Sequence, residues 1–397
     1  MRGVAARRAA RAQLLRGRGP RALLLLLVAG LSSGGCGSDE VRRIDDAEFY
    51  VFEATPPNAG ALGTCLSDDV AFPPSKAWAR EKRWATGAVV GVVGLLQDGC
   101  GAQFASVAGP AAAGPSDFFG GSCAPVGPFA VGETNPASWT FARDDGASFG
   151  GFHGNFAGTL RAASPGTGGL RIVYDGSALP TLDLEVVRPA VLQVSRHVFQ
   201  LGKGLVDERA EGLAIAAGGS VVLLIRTLDE AQHRLCGRAP LVVSEASGLD
   251  LTGDAVHAGP ALTTNGAVVA RAGPGPGTAR ATLESAGASA SLALDIVPLS
   301  ALSGVDASVS ASTTGDLLRL RALSDSREVA GALLRVEILT PNVVLTGEDG
   351  LPLPSPVETA APALAIHAAT ATRVQLRLSA PGSSAPVREL AVVLPSR

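Results

Sequence analysis

Gly219-Ser-Val-Val-Leu-Leu-Ile-Arg-Thr-Leu-Asp229 and Gly315-Asp-Leu-Leu-Arg-Leu-Arg-Ala-Leu-Ser-Asp325 share one pattern: a glycine, an apolar β-prone run, arginine and a closing aspartate. Each is followed by a second matched tetrad, Leu251-Thr-Gly-Asp254 and Leu345-Thr-Gly-Glu348, which sets the offset at 96 residues at the glycine and 94 at the tetrad. Downstream, Thr278 to Ser300 aligns with Thr372 to Ser396 at the same offset. A register that holds across a whole unit marks an internal repeat, and a unit of about 95 residues is the size of one small β domain.

The segments around these runs read as strands. Leu170-Arg-Ile172-Val-Tyr174, Leu182-Asp-Leu184-Glu-Val186, Leu292-Ala-Leu294-Asp-Ile296, Leu334-Arg-Val336-Glu-Ile338 and Val374-Gln-Leu376-Arg-Leu378 place apolar residues at every second position. Period two puts one face in a core and the other in water. Between them lie turn clusters such as Ser164-Pro-Gly-Thr, Asp175-Gly-Ser, Pro274-Gly-Pro-Gly, Glu348-Asp-Gly and Pro381-Gly-Ser-Ser. Short strands at this spacing predict an all-β chain of antiparallel sandwiches.

The repeats resemble the group 2 bacterial immunoglobulin-like domain, whose C-terminal half runs glycine, short strand, Pro-Gly-Thr-like turn, strand, glycine turn and a last alternating strand. Gly158-Thr-Leu-Arg-Ala-Ala-Ser-Pro-Gly-Thr-Gly-Gly-Leu-Arg-Ile-Val-Tyr-Asp-Gly to Val187 looks like that half, as does Gly266 to Val297. Trp139-Thr-Phe141-Ala resembles the core strand before it, while the third copy lacks the Pro-Gly turn between Ala363 and Val374. The resemblance implies tandem immunoglobulin-like β-sandwiches and is nearly silent on function.

A first copy begins at Gly87-Ala-Val-Val-Gly-Val-Val-Gly-Leu-Leu-Gln-Asp98. From Gly87 to Gly158 is 71 residues, against 47 from Gly219 to Gly266. This copy is therefore enlarged by roughly 24 residues, most naturally across Ala111 to Asn135, with Cys123 among them. Asp45 to Thr86 precedes it and holds Cys65, Trp78 and Trp84. The boundaries that follow are an export signal over 1–35, a lipidated N-terminus and linker over 36–44, an enlarged domain over 45–189, and domains over 190–300 and 301–397.

The signal reading rests on seven arginines, an apolar run from Ala22 to Leu31, and Ser33-Gly34-Gly35 before Cys36. A positive flank, a short apolar stretch and small residues are the parts of a bacterial export signal, and a cysteine after the cut resembles a lipoprotein's lipidation site. Lipid on Cys36 would hold the chain at a membrane surface, and Gly37 favours the outer membrane over the inner. The match departs from the usual lipobox, because Ser33 stands where leucine is preferred. Secretion after ordinary signal cleavage stays open, as do a mitochondrial presequence and a membrane anchor. The run is too short to span, since a spanning helix needs about 20 apolar residues.

All 36 acidic residues follow the signal and seven of the 33 basic ones precede Cys36, so the remainder carries 26 minus 36, a charge of −10. That balance removes the electrostatic footprint of nucleic-acid binding. No lysine cluster marks a headgroup patch either, because Lys76, Lys82 and Lys203 are the only lysines.

Chemical motifs are sparse. The sequence contains no G-x-S-x-G, HExxH or P-loop, and His153, His197, His233, His257 and His367 are scattered. Acidic turns at Asp144-Asp145-Gly146, at Asp250 with Asp254, and at Glu348-Asp349-Gly350 fall short of an EF-hand's density. After Cys36 the cysteines are Cys65, Cys100, Cys123 and Cys236, with no CxxC, so disulfides are expected, and three full pairings are open. Cys100 and Cys236 follow equivalent strands and read as inherited positions, whereas Cys65 and Cys123 sit in the extra material of the first domain.

These readings predict a non-enzymatic envelope lipoprotein, a structural or binding module with no cofactor and no metal. Its partners would be the membrane through the lipid and an unidentified protein or polysaccharide. An alternative is an adhesin or ligand-binding protein whose site lies in residues 45–160, using Trp78, Trp84, Phe118 and Phe119; another is a secreted hydrolase in the same region.

Overall fold

The computed structural model describes residues 44–53, 83–98, 129–144, 155–179, 181–201, 204–254, 261–312, 315–368 and 373–394. The expected signal, the lipidation site Cys36, and Cys65, Cys100, Cys123, Trp78, Phe118 and Phe119 lie outside them.

The described chain is all-β. Domain 1 comprises β1 (Ile44–Glu53), β2 (Arg83–Ala85), β3 (Val89–Asp98), β4 (Phe129–Glu133), β5 (Trp139–Arg143), β6 (Phe156–Ala162), β7 (Gly166–Tyr174), β8 (Ser177–Ala178) and β9 (Leu182–Val187). Domain 2 comprises β10 (Val191–Leu201), β11 (Gly204–Arg209), β12 (Ala214–Ala216), β13 (Ser220–Leu228), β14 (Val242–Ser247), β15 (Leu249–Gly253), β16 (Gly266–Ala272), β17 (Gly277–Ser285) and β18 (Ala288–Val297). Domain 3 comprises β19 (Gly304–Ser312), β20 (Gly315–Ser324), β21 (Arg327–Ala330), β22 (Leu334–Ile338), β23 (Val343–Thr346), β24 (Val357–Thr359), β25 (Ala363–Ala368), β26 (Arg373–Ser379) and β27 (Arg388–Val393).

The repeat is visible in the pairing. One sheet of each domain runs β1-β3-β6-β5, β10-β13-β16-β15 and β19-β20-β25-β23, so β3, β13 and β20 occupy one place, as their sequence alignment requires. The opposing sheets run β9-β7-β4, β18-β17-β14 and β27-β26-β22. Two antiparallel sheets in this order form an immunoglobulin-like sandwich, and the described residues hold three in tandem.

Alternation explains which face is buried. In β26, Val374, Leu376 and Leu378 are fully buried between exposed Arg373, Gln375 and Arg377. In β9, Leu182, Leu184 and Val186 point inward in the same way. Each such side chain contributes about 1.5–3 kcal/mol when taken out of water, and each sandwich has its own main core, into which a neighbour contributes Cys236, Ala214, Ala216 or Ala330 at the boundaries. Turn chemistry follows the sequence: Asp175 and Gly176, both at positive φ, close the β7–β8 hairpin.

Two short strands break the antiparallel rule. β2 pairs parallel with β9, and β12 pairs parallel with β18. Among the described residues, β20 is the element that follows β19 in domain 3, and no equivalent strand lies beside β27.

Candidate functional site: the two domain junctions

The polar groups that converge most closely lie where one domain meets the next. At the second junction, β12 uses its other edge to pair parallel with β21 of domain 3, so one sheet continues across the boundary. At the first junction, Trp84 of β2 forms a parallel bridge to Cys236 in the loop between β13 and β14. Ala85 N–H donates to the Cys236 carbonyl at 3.0 Å, and Cys236 N–H donates to the Arg83 carbonyl at 2.7 Å. The loop behind β13 in domain 2 and β21 behind β20 in domain 3 are thus equivalent receivers for the short strand of the preceding domain.

Close approach at both receivers needs glycine. Gly237 has φ +81°, and a Cβ there would meet Ala88 Cβ at 2.7 Å and Trp84 at 3.0 Å. Gly331 has φ +71°, and a Cβ there would meet the Ser220 carbonyl at 2.6 Å. An L side chain is disfavoured in this backbone region even without contacts.

The first receiver loop is held by Asn265, which is 1% exposed. Its Nδ2 donates to the carbonyls of Leu235 at 3.0 Å and Gly237 at 2.6 Å, while its own N–H donates to the Ile225 carbonyl. Thr264 exchanges bonds with Ala239, and Ser285 Oγ donates to the Pro240 carbonyl at 2.8 Å. Arg83 then reaches across the junction to Asp229 and back to Glu185 at 3.3 Å. Burial pushes the Asp229 carboxyl up, but the His233 N–H and the Arg83 guanidinium outweigh it and hold it below the usual carboxylate value.

The second junction is both apolar and charged. Val198 and Phe199 of domain 2 pack on Leu317, Ala363 and Ala365 of domain 3. Beside them Arg196 pairs with Glu328, His197 Nε2 lies 2.6 Å from Glu348, and Gln200 N–H donates to the same carboxylate at 2.9 Å. Arg327 binds Asp295 at 2.6 Å and the Gly212 carbonyl at 2.7 Å, and Arg319 pairs with Glu208. A cleft of about 260 Å³ bordered by Arg196, Phe199, Gly331 and Glu348 remains between the domains. Within domain 2, Asp207 is raised by burial and lowered by Arg226 and Ser195, with a net shift downward.

The expected site residues divide accordingly. Trp84 does not offer a surface to a partner: it is fully buried in the domain 1 core, edge-on to Trp139 at 6.5 Å, because β2 turns its indole inward. Cys236 is 1% exposed and belongs to the domain 1 core although it lies in domain 2. It is a junction residue rather than a position inherited from the repeat alone, since Ala330 fills the equivalent place in β21. Among the described residues, no group of three or more His, Cys, Asp or Glu could hold a metal ion. Reading the sequence missed β2, β12 and Asn265, although Ala214-Ile-Ala ahead of Gly218-Gly219 was an apolar signal for β12.

No family model and no curated protein matches the chain. Solved structures do match, at low similarity. The S-layer protein SbsC, domains 4–9, has 11% identity over 87% of this chain and 47% of its own, with a TM-score of 0.28. The Escherichia coli adhesin FdeC has 13% identity over 79% and 95%, with a TM-score of 0.22. Invasin, described as a bacterial integrin-binding protein, has 12% identity over 78% and 57%, with a TM-score of 0.22. The chain spans less than half the length of the longer S-layer structures that it matches.

Proposed function

We propose that this chain is a non-enzymatic cell-envelope protein, a spacer of three immunoglobulin-like domains held at a membrane by lipid on Cys36. The observation that supports the spacer reading is the repeated junction: at each boundary a short parallel strand is shared with the next domain, where a free linker would leave both edges open. The converging charged groups are spent on the same task, in pairs such as Arg83–Asp229 and Arg196–Glu328.

A second reading, partner binding by domain 1, has its own support. β3 ends at Asp98 and β4 begins at Phe129 at the end of the sandwich opposite the junction, and β5 and β6 are joined there too. The two long connections 99–128 and 145–154 therefore leave and re-enter at one end, the arrangement that binding loops use. Ile44, paired with Asp98, enters at the same end. Eight residues from Cys36 to Ile44 reach at most about 28 Å. A lipidated Cys36 would keep these connections close to the membrane.

Detergent-phase partitioning of the exported protein tests the anchor. The wild-type chain enters the detergent phase, and Cys36→Ser stays aqueous or unprocessed. An unmodified mature N-terminus by mass spectrometry would remove the lipid from the proposal. Spin labels on domains 1 and 3 test the spacer: one narrow distance distribution supports it, and a broad one overturns it.

A further inference from the structure

We propose that domains 2 and 3 are a single cooperative unit, which opens and unfolds as one body although the sequence repeat divides it in two. The coupling concerns stability and stands whether or not the chain acts as a spacer.

Core side chains are exchanged across this boundary in both directions. Ala214 and Ala216 of β12 are fully buried in the domain 3 core with Leu318, Leu320 and Leu334, whereas Ile215 between them is fully buried in the domain 2 core. Alternation along a strand paired on both edges thus feeds two sandwiches at once. In return Ala330 of β21 lies in the domain 2 core.

The connection between the domains is also inside. Val297 and Leu299 pack against the domain 3 core, Leu302 is buried in it, and Ser384 Oγ donates to the Ser300 carbonyl at 3.0 Å. A hinge would leave these residues in water. At Gly219 and Gly331 the two backbones touch: a Cβ on the first would meet the Gly331 carbonyl at 2.6 Å, and one on the second the Ser220 carbonyl at 2.6 Å.

Unfolding either domain alone therefore damages the other. Without domain 3, the outer edge of β12 is unpaired, buried Val198 and Phe199 meet water, and Arg196 loses Glu328. Without domain 2, the domain 3 core loses Ala214 and Ala216, and Leu317, Ala363 and Ala365 are uncovered. Such a half-unfolded chain exposes apolar surface on both domains but gains the conformational entropy of only one, which disfavours it against the fully folded and fully unfolded forms. The first junction lacks this reciprocity among the described residues: Cys236 enters the domain 1 core, and no residue of domain 1 enters that of domain 2.

Hydrogen exchange of the full chain, read by mass spectrometry where reclosing outpaces exchange, tests the coupling. Leu376 on β26 is fully buried in domain 3, and Leu283 on β17 is fully buried in domain 2. Leu376→Ala is expected to accelerate the slowest amides of both β26 and β17 by the same factor, about 30-fold or more. Leu283→Ala should do the same in reverse, since a coupling between two sites is reciprocal. Acceleration confined to the mutated domain, in either variant, would overturn the proposal. Where a variant does not fold, wild-type exchange in rising urea decides: the slowest amides of β17 and β26 are expected to converge on one opening free energy and one denaturant slope. Two separate isotherms would equally refute it.

Discussion

Gly237 and Gly331 occupy one position in two successive domains, each in the left-handed region and each pressed against the domain before it. Alanine at either is expected to cost the backbone strain of about 1–2 kcal/mol plus the displacement of a neighbour. Gly212 is the control, because it has φ +71° with nothing within 4 Å of its Cβ direction. Thermal melts should place Gly212→Ala near the strain alone and Gly237→Ala and Gly331→Ala clearly lower. Equal losses at the three would show that close approach does not set the junctions.

The two described tryptophans should respond differently to loss of the indole N–H. Trp139 Nε1 donates to the Leu184 carbonyl at 3.3 Å, whereas Trp84 Nε1 is buried with no hydrogen-bond partner. Phenylalanine at 139 removes that hydrogen bond, at about 0.5–1.5 kcal/mol beyond the lost volume, while at 84 it removes an unsatisfied donor. Denaturant unfolding is expected to find Trp84→Phe the milder change, and Trp84→Ala to cost about 3–5 kcal/mol.

Asn265 links the receiver loop to its own domain. Asn265→Ala strains a residue at φ +53° and strands two buried carbonyls, so a loss of about 3 kcal/mol or more is expected. Asn265→Gly relieves the strain and keeps the hydrogen-bond loss. Hydrogen exchange should accelerate across residues 229–241 in both variants; exchange unchanged there would mean that the loop is held from elsewhere.

The first junction should be acid-sensitive. The Asp229 carboxyl is depressed in the folded protein, so its contribution is complete above the unfolded value of about 3.9 and disappears as pH falls through the lower folded value. Melting temperature measured between about pH 6 and pH 3 should therefore fall more for the wild type than for Asp229→Asn. Parallel curves would remove the carboxylate from the junction's energetics.

At the boundary of domains 2 and 3, neighbouring residues on β18 should differ sharply. Ile296 lies in the domain 2 core, and Ile296→Asp is expected to unfold that domain by burying an unpaired charge. Asp295 pairs with Arg327 across the boundary, but both side chains are about half exposed, so Asp295→Ser should cost no more than about 1 kcal/mol. Circular dichroism melts of the two variants check both.

The sandwiches were legible because their information is local: alternation in β9, β17, β18 and β26 names the buried face, and the repeated glycine-to-aspartate run fixes the register. The junctions were not legible, since a three-residue strand such as β2 carries too few residues to show a period, and its partner Cys236 lies about 150 residues away. Trp84 illustrates the cost. An aromatic in an unassigned stretch is more often core than contact surface, but nothing local decides between the two until β2 is seen to pair with β9. Asn265 is similar, for nothing in Thr263-Thr264-Asn265-Gly266 distinguishes a buried hub from an ordinary turn.

The shared short strands also bear on what kind of object the proposed spacer would be. Three domains on free linkers make a tether, whose ends explore a volume that grows with linker length and whose cargo is felt as a local concentration. Domains that lend a strand to one another make a ruler. On the spacer reading proposed above, such a chain would set a height, and lengthening it by one repeat would move what it carries outward by a whole step. The described residues carry two such graduations, one at β2 and one at β12.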